Sequence, residues 1–293
     1  MSSQHRLREK QQVYDLLTKL LSAMKALAYA ELQKLQSQRL GQKNVLVAYR
    51  RAISVLLRHG AVLQKGVKVH ASTGVNTILP PLFIVVGTER GFCGDINRSV
   101  YAQVKELMQE QQDAGLIVIG ERIFKFYSAL DCVSRLNGAV VAEDVEPLVT
   151  ELVSVIIDNL YHYSFIDTRV IFLDDLSNHT VSFPLIETGE QGNGLNEELD
   201  SAYGPLLYEA PATILEKLLP EYFFATLQFC IKSALISENR ARYTHMQEAT
   251  NHLDDKRQQL TIKMNQARRE NIIEEIMVSL YNEDANPDKV VTQ

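Results

Sequence analysis

The stretch best suited to hold a ligand is Gly87-Thr88-Glu89-Arg90-Gly91-Phe92-Cys93-Gly94-Asp95-Ile96-Asn97. It follows the apolar run Leu82 to Val86 and precedes an amphipathic one, so Gly87, Gly91 and Gly94 fall where a strand turns into a helix. Backbone N–H groups at such a turn can approach a phosphate. Glu121, after the next apolar run, could bond a ribose. The spacing argues against both roles. It is neither Gly-x-Gly-x-x-Gly nor Gly-x-x-x-x-Gly-Lys-[Ser/Thr], and Glu121 lies about 30 residues on rather than about 20. Asp174-Asp175 ends a strand and offers carboxylates to magnesium, but no phosphate loop accompanies it, and neighbouring acids there ordinarily form a turn. His245 and His252 share a helix face without a third ligand, which makes a poor metal site. Cys93 has no assignable base, and no Ser/His/Asp or Cys/His arrangement occurs. The residues therefore point to a chain without catalytic, cofactor or metal groups of its own.

The elements that position this loop are unusual. After Pro220 neither proline nor glycine occurs until Pro287. An unbroken helix there is on the order of 90 Å long at about 1.5 Å per residue. Small and apolar residues recur at alternating steps of three and four: Phe223, Leu227, Cys230, Ala234, Ser237, Ala241, then Met246, Ala249, Leu253, Leu260, Met264 and Ala267. This is the seam of a supercoiling helix. His5 to Leu57 predicts a second long helix, with its seam on Val13, Leu17, Leu20, Met24 and Leu27 and again on Leu46, Tyr49, Ile53 and Leu56. Each helix leaves an apolar stripe, and pairing them as an antiparallel coiled coil covers both.

Between the helices, residues 82–205 alternate strand and helix patterns. Strands are expected at Leu82–Val86, Leu116–Ile119 and Val170–Leu173, with an antiparallel edge at Val181–Leu185. Helices are expected at Ile96–Gln111, from Arg122 to about Leu130, and at Leu148–Tyr161. Such alternation predicts a Rossmann-like three-layer α/β domain with a mainly parallel sheet. The organisation expected is a helix over 1–58, a linker over 59–81 with a possible short strand at Val67–Val69, the α/β domain, a helix over 206–282 and a polar tail over 283–293. Thr188 to Gly204 reads as a glycine-rich loop, and Pro211 as the first turn of a connector helix before Pro220.

The net charge of −6 is uneven: +8 over residues 1–58, −11 over 59–205 and −3 thereafter. A basic helix poor in aromatics suits an acidic protein surface or anionic lipid better than nucleic acid. Cys93, Cys132 and Cys230 show no paired spacing, which fits reduced thiols in a cytoplasmic compartment. No signal core and no apolar run long enough to span a bilayer are apparent, so membrane contact is expected to be peripheral.

Four blocks, in order, resemble one family. They are Ala23-Met24-Lys25-Ala26-Leu27-Ala28, Thr88 to Asn97, Leu207-Tyr208-Glu209-Ala210-Pro211 with Leu215 to Tyr222, and Ser237 to Glu275. Together they are similar to the gamma subunit of the rotary F-type ATP synthase. The resemblance implies a non-catalytic rotor shaft that turns inside alternating alpha and beta subunits and couples proton or sodium translocation to ATP synthesis or hydrolysis. It implies partners in the alpha, beta and epsilon subunits and the membrane ring of c subunits, a place at the cytoplasmic face of the cell membrane, and no bound cofactor. By position it assigns beta-subunit contacts to Met24, Lys25, Arg90, Arg242, Arg268, Arg269 and Glu275, and epsilon or ring contacts to Tyr208 and Glu209. In the family's loop the glycines serve a tight turn and close packing, and Asn97 helps start the helix. Glu31 stands where the family has lysine, Arg269 where glutamine is common, and Ile273 where threonine is usual, which marks a divergent branch. Two other readings fit the same pattern: a nucleotide-dependent α/β enzyme with oligomerisation arms, and a free-standing coiled-coil adaptor.

Overall fold

The structure, a computed structural model, describes residues 3–58, 79–111, 113–128, 132–159, 162–177, 179–185 and 206–284. The elements run α1 (Ser3–Arg58), β1 (Pro81–Val86), α2 (Ile96–Glu110), β2 (Gly115–Ile119), β3 (Ser134–Leu136), α3 (Val145–Asp158), β4 (Ser164–Leu173), β5 (Thr180–Pro184) and α4 (Pro211–Asp284), with a 3-10 turn at Phe124–Tyr127. The expected strand at Val67–Val69 and loop from Thr188 to Gly204 lie outside the described residues. So does most of the polar tail.

The chain forms two compact units. The larger, Ala28–Arg242, contains a five-stranded sheet in the order β3-β2-β1-β4-β5, parallel except for the β4–β5 pair. Side chains alternate across β1, as the pleat requires. Leu82, Ile84 and Val86 join a core with α3, with Leu32 and Leu35 of α1, and with Leu227, Cys230, Ile231 and Leu235 of α4. Phe83 and Val85 face Val100 and Val104 of α2 on the other side. The α/β layers are thus those expected, and the ends of both long helices belong to one of them. In this unit the helices run antiparallel: Lys232 bonds Gln38, Tyr222 stacks edge-on against Tyr49, and Leu215 packs on Leu56.

The smaller unit is residues Met1–Leu27 with Tyr243–Gln293. Here the pairs Lys25–Gln247 and Asp15–Arg257 lie ten residues apart on both helices, which fixes an antiparallel register. The α4 seam is as expected, with Met246 and Leu260 buried and Ala249, Leu253, Met264 and Ala267 half-buried. The α1 seam is displaced. Val13, Leu17, Leu20 and Leu27 are exposed, while the covered stripe is Tyr14, Thr18, Leu21 and Lys25 at the same three-four spacing. Polar cross-pairs, rather than the most apolar residues, set which face of α1 meets α4.

Three features go beyond or differ from what the sequence suggests. β3 pairs with β2 but is only three residues long, too short for a periodic signal. The helix expected from Arg122 is a single 3-10 turn within the described residues. Pro220 does not start a helix: α4 begins at Pro211 and runs through it. Pro211 is the first helical residue, where a missing N–H costs nothing, and Pro220 sits on an exposed position of the interior.

Candidate functional site

The glycine loop leaves β1 against the middle of α4. Gly87 has no room for a side chain, since a Cβ would come 2.7 Å from Ile123 Cδ1. Gly94 takes φ +62, and Phe92, exposed at the apex, takes φ +65. A left-handed conformation costs an L residue about 1–2 kcal/mol, so surrounding bonds must hold the turn. They come from one carboxylate. Glu238 of α4 accepts the backbone N–H groups of Glu89 (3.3 Å) and Arg90 (3.2 Å). Arg242, one turn on, bonds the same carboxylate and donates to Asn239 Oδ1 (2.8 Å), Gly91 O (3.4 Å) and Cys93 Sγ (3.4 Å). Both charged side chains are only 6% exposed.

Burial pushes the Glu238 carboxyl above its ordinary range, against the pull of Arg242 and the two amides. Burial likewise pushes the Cys93 thiol up to about 12, aided by Glu238, so it is protonated and a poor nucleophile at neutral pH. Asn97 closes the other end of the turn. Its Oδ1 accepts from Thr88 N (2.9 Å) and its Nδ2 donates to Thr88 Oγ1 (2.8 Å), so it ties α2 to the end of β1. Glu89 crosses the strand ends, accepting from the N–H groups of Glu121 (2.9 Å) and Gly138 (2.7 Å). Three backbone N–H groups of the loop, those of Thr88, Glu89 and Arg90, are therefore bonded to the chain's own amide and carboxylate oxygens. The loop is a latch that fastens the sheet to α4.

A second node lies at the end of β4. Asp175 receives Arg39 of α1 (3.2 Å) and Arg240 of α4 (2.7 Å), while Asp174 receives the other arm of Arg39 (3.3 Å). The acidic pair is thus committed to arginines. His245 Nδ1 lies 3.5 Å from Glu248, and no cluster of three metal-ligating side chains occurs among the described residues.

The residues assigned to partners fall into separate places. Arg268, Arg269 and Glu275 are exposed on α4 in the smaller unit; Met24 is half-buried there, and Lys25 is half-buried and bonds Gln247 (2.9 Å). Arg90 is exposed beside Phe92. Arg242 differs from all of these, being buried and engaged with Glu238. Tyr208 is 91% exposed, and Glu209 pairs with Lys217 (2.8 Å) beside the Leu56–Leu215 cluster. From the sequence alone, Glu238, Arg39 and Arg240 have no assigned role, and Asp175 reads as part of a turn. A Glu–Arg pair at i, i+4 was the available signal for Glu238.

A sequence model of the family described as ATP synthase matches residues 3–278. The chain belongs to that family. Curated relatives of this ATP synthase chain include the ATP synthase gamma chain of Pelotomaculum thermopropionicum, 27% identical over 266 residues and covering 87% of this chain and 88% of that one. The gamma chain of Rickettsia canadensis is 24% identical over 298 residues, covering 97% and 100%. In the mitochondrial ATP synthase of Euglena gracilis, one chain of the OSCP/F1/c-ring structure has a similar fold, with TM-score 0.58, 14% identity, and coverage of 99% and 97%. A chain of the central stalk and c-ring structure from Tetrahymena thermophila gives TM-score 0.54 at 16% identity, covering 78% and 99%. The chain shares its fold with these two chains, the second of them from a central stalk and c-ring structure.

Proposed function

We infer that this chain is the central rotor-shaft (gamma) subunit of an F-type ATP synthase, coupling ion translocation through a membrane sector to ATP synthesis or hydrolysis in an alpha/beta hexamer. The family match over residues 3–278 carries the reading. The surface of the smaller unit supports it. Val13, Leu16, Leu17, Leu20 and Leu27 of α1 are exposed beside α4, and Ile272, Ile273, Ile276, Met277, Val278 and Leu280 are exposed on the stretch of α4 that runs past the paired register. This much exposed apolar surface, on the paired stretch and beyond it, suits an enclosing partner. Interspersed with these residues are exposed Arg268, Arg269 and Glu275. Exposed ion pairs are worth about 0–1 kcal/mol each, so contacts of this kind break and reform without locking one angle.

An asymmetric shaft offers each beta subunit a different face, and differential contact then favours a different nucleotide state at each. In this reading residues 1–58 and 206–282 are shaft, 82–205 the side domain, 59–81 linker and 283–293 tail. The beta contacts are Met24, Lys25, Arg90, Arg268, Arg269 and Glu275, with Arg242 acting from inside by holding the loop that presents Arg90. Tyr208 and Glu209 face an epsilon subunit and the c ring. The subunit belongs to the membrane-peripheral sector; no described helix is long and apolar enough to cross a membrane. We place it on the cytoplasmic face, given three free cysteines.

Reconstitution with alpha and beta subunits tests the reading. Co-elution with the hexamer and stimulated ATP hydrolysis are expected. No complex and no stimulation would defeat it, and nucleotide binding by the isolated chain would favour the enzyme reading instead.

A further inference from the structure

Within the larger unit, the turn after β4 inverts the usual order of burial. Leu176 is 76% exposed, while the neighbouring Asp175 side chain is 1% exposed. Burying a carboxylate there costs desolvation, and its carboxyl is correspondingly raised. The arginines that meet it come from two different helices. Arg39 of α1 spreads its fork over Asp174 and Asp175, and Arg240 of α4 reaches Asp175 Oδ1 (2.7 Å) and its backbone oxygen (3.4 Å). One turn earlier on α4, Ser237 Oγ donates to Leu173 O (2.6 Å). Apolar contacts such as those of Leu32 and Leu35 with the sheet core are non-directional. The fork of Arg39, hydrogen-bonded to both carboxylates, has a fixed geometry and resists shear, and Arg240 adds an ion pair at Asp175 Oδ1 and a hydrogen bond to its backbone oxygen. Buried pairs contribute little net stability, so a clasp of this kind is better understood as fixing geometry.

We propose that Asp175, gripped by Arg39 and Arg240, is a positioning residue that joins the side domain to both shaft helices at one point, so that a turning force on the domain reaches α1 and α4 together without slip. This rests on the rotor-shaft reading. The clasp bears on coupling, and nucleotide chemistry in the hexamer proceeds without it.

The test uses the complete ATP synthase in vesicles, measuring ATP hydrolysis and ATP-driven ion uptake on the same preparation. Asp175→Asn and Arg240→Met are expected to hydrolyse ATP at the unmodified rate while ion uptake per ATP falls severalfold. Arg39→Lys keeps the charge but cannot span both aspartates, and should restore an intermediate ratio relative to Arg39→Met. An unchanged uptake-to-hydrolysis ratio in all variants overturns the proposal, as does a fall in hydrolysis with the ratio preserved, which marks a merely structural role. If Asp175→Asn fails to assemble, the comparison of Arg39→Lys with Arg39→Met decides by the same ratio. Failure of the unmodified chain to assemble or couple would instead defeat the rotor-shaft reading.

Discussion

Replacing Arg242 by methionine keeps the bulk of the side chain and removes its charge from the latch. Glu238 is then left 6% exposed, with only the amides of Glu89 and Arg90 as partners. Breaking a buried pair from one side costs about 3–5 kcal/mol. Gly91 O and Asn239 Oδ1 also lose a donor, though such losses do not add simply. A loss of about 4 kcal/mol is a large part of a domain's usual margin of about 5–15 kcal/mol. The sign of its pH dependence follows from Glu238. Burial already raises its folded value above 4.5, and Arg242 is the largest opposing influence, so its removal raises the value further. The folded variant therefore binds a proton that the unfolded chain releases, and this stability is present at low pH and lost as pH rises through the folded value. Arg242→Met should be hurt most at neutral pH and progressively less on acidification towards the ordinary glutamate value of 4.5. Hydrogen exchange of the Ile84 and Val85 amides, at the centre of the sheet, reads the opening free energy. A loss below about 1 kcal/mol with no pH dependence, the behaviour of an exposed pair, would refute the latch.

Other consequences are simpler. Gly87→Ala drives a methyl into Ile123 and should cost about 1–3 kcal/mol, with partial rescue by Ile123→Ala, measured by urea unfolding. Cys93, pushed up to about 12 and buried, should alkylate far more slowly than half-buried Cys132 at neutral pH; in the Arg242→Met variant the thiol loses the cation that lowers it, so the gap narrows only through opening of the latch, which mass spectrometry of labelled peptides checks. Arg268→Ala, at an exposed site, should change the stability of the free chain by less than about 0.5 kcal/mol while weakening its association with the hexamer in a titration.

What the sequence makes legible depends on how directly a pattern reports its contact. The α4 seam from Met246 to Ala267 is covered as its spacing implies. On α1 apolar residues fall on two adjacent stripes. Hydropathy selects Val13, Leu17 and Leu20, while cross-pairs through Asp15 and Lys25 select the other. The strands β1 and β2 are apolar runs buried on both faces and could be read directly, as could the Val170–Leu173 end of β4; the first half of β4, with Asp167 and Arg169 exposed, carries no apolar run, and β3 has three residues and depends on its partner for definition. The glycine loop was legible as a turn, and its ligand was not: the carboxylate that fills it comes from Glu238, about 150 residues later, a pairing that only the fold creates. Asp174-Asp175 was readable as an acidic strand end, whereas its arginines stand on two remote helices.

Rotation is the most direct measure of the central claim. A bead attached through Tyr208→Cys, at a position 91% exposed, with Cys132→Ser to remove the more accessible native thiol, reports the shaft within a surface-held alpha/beta hexamer. The account predicts continuous turning in one direction, at a rate that rises and falls with ATP hydrolysis. A hexamer that binds the chain and hydrolyses ATP while the bead only fluctuates would contradict it.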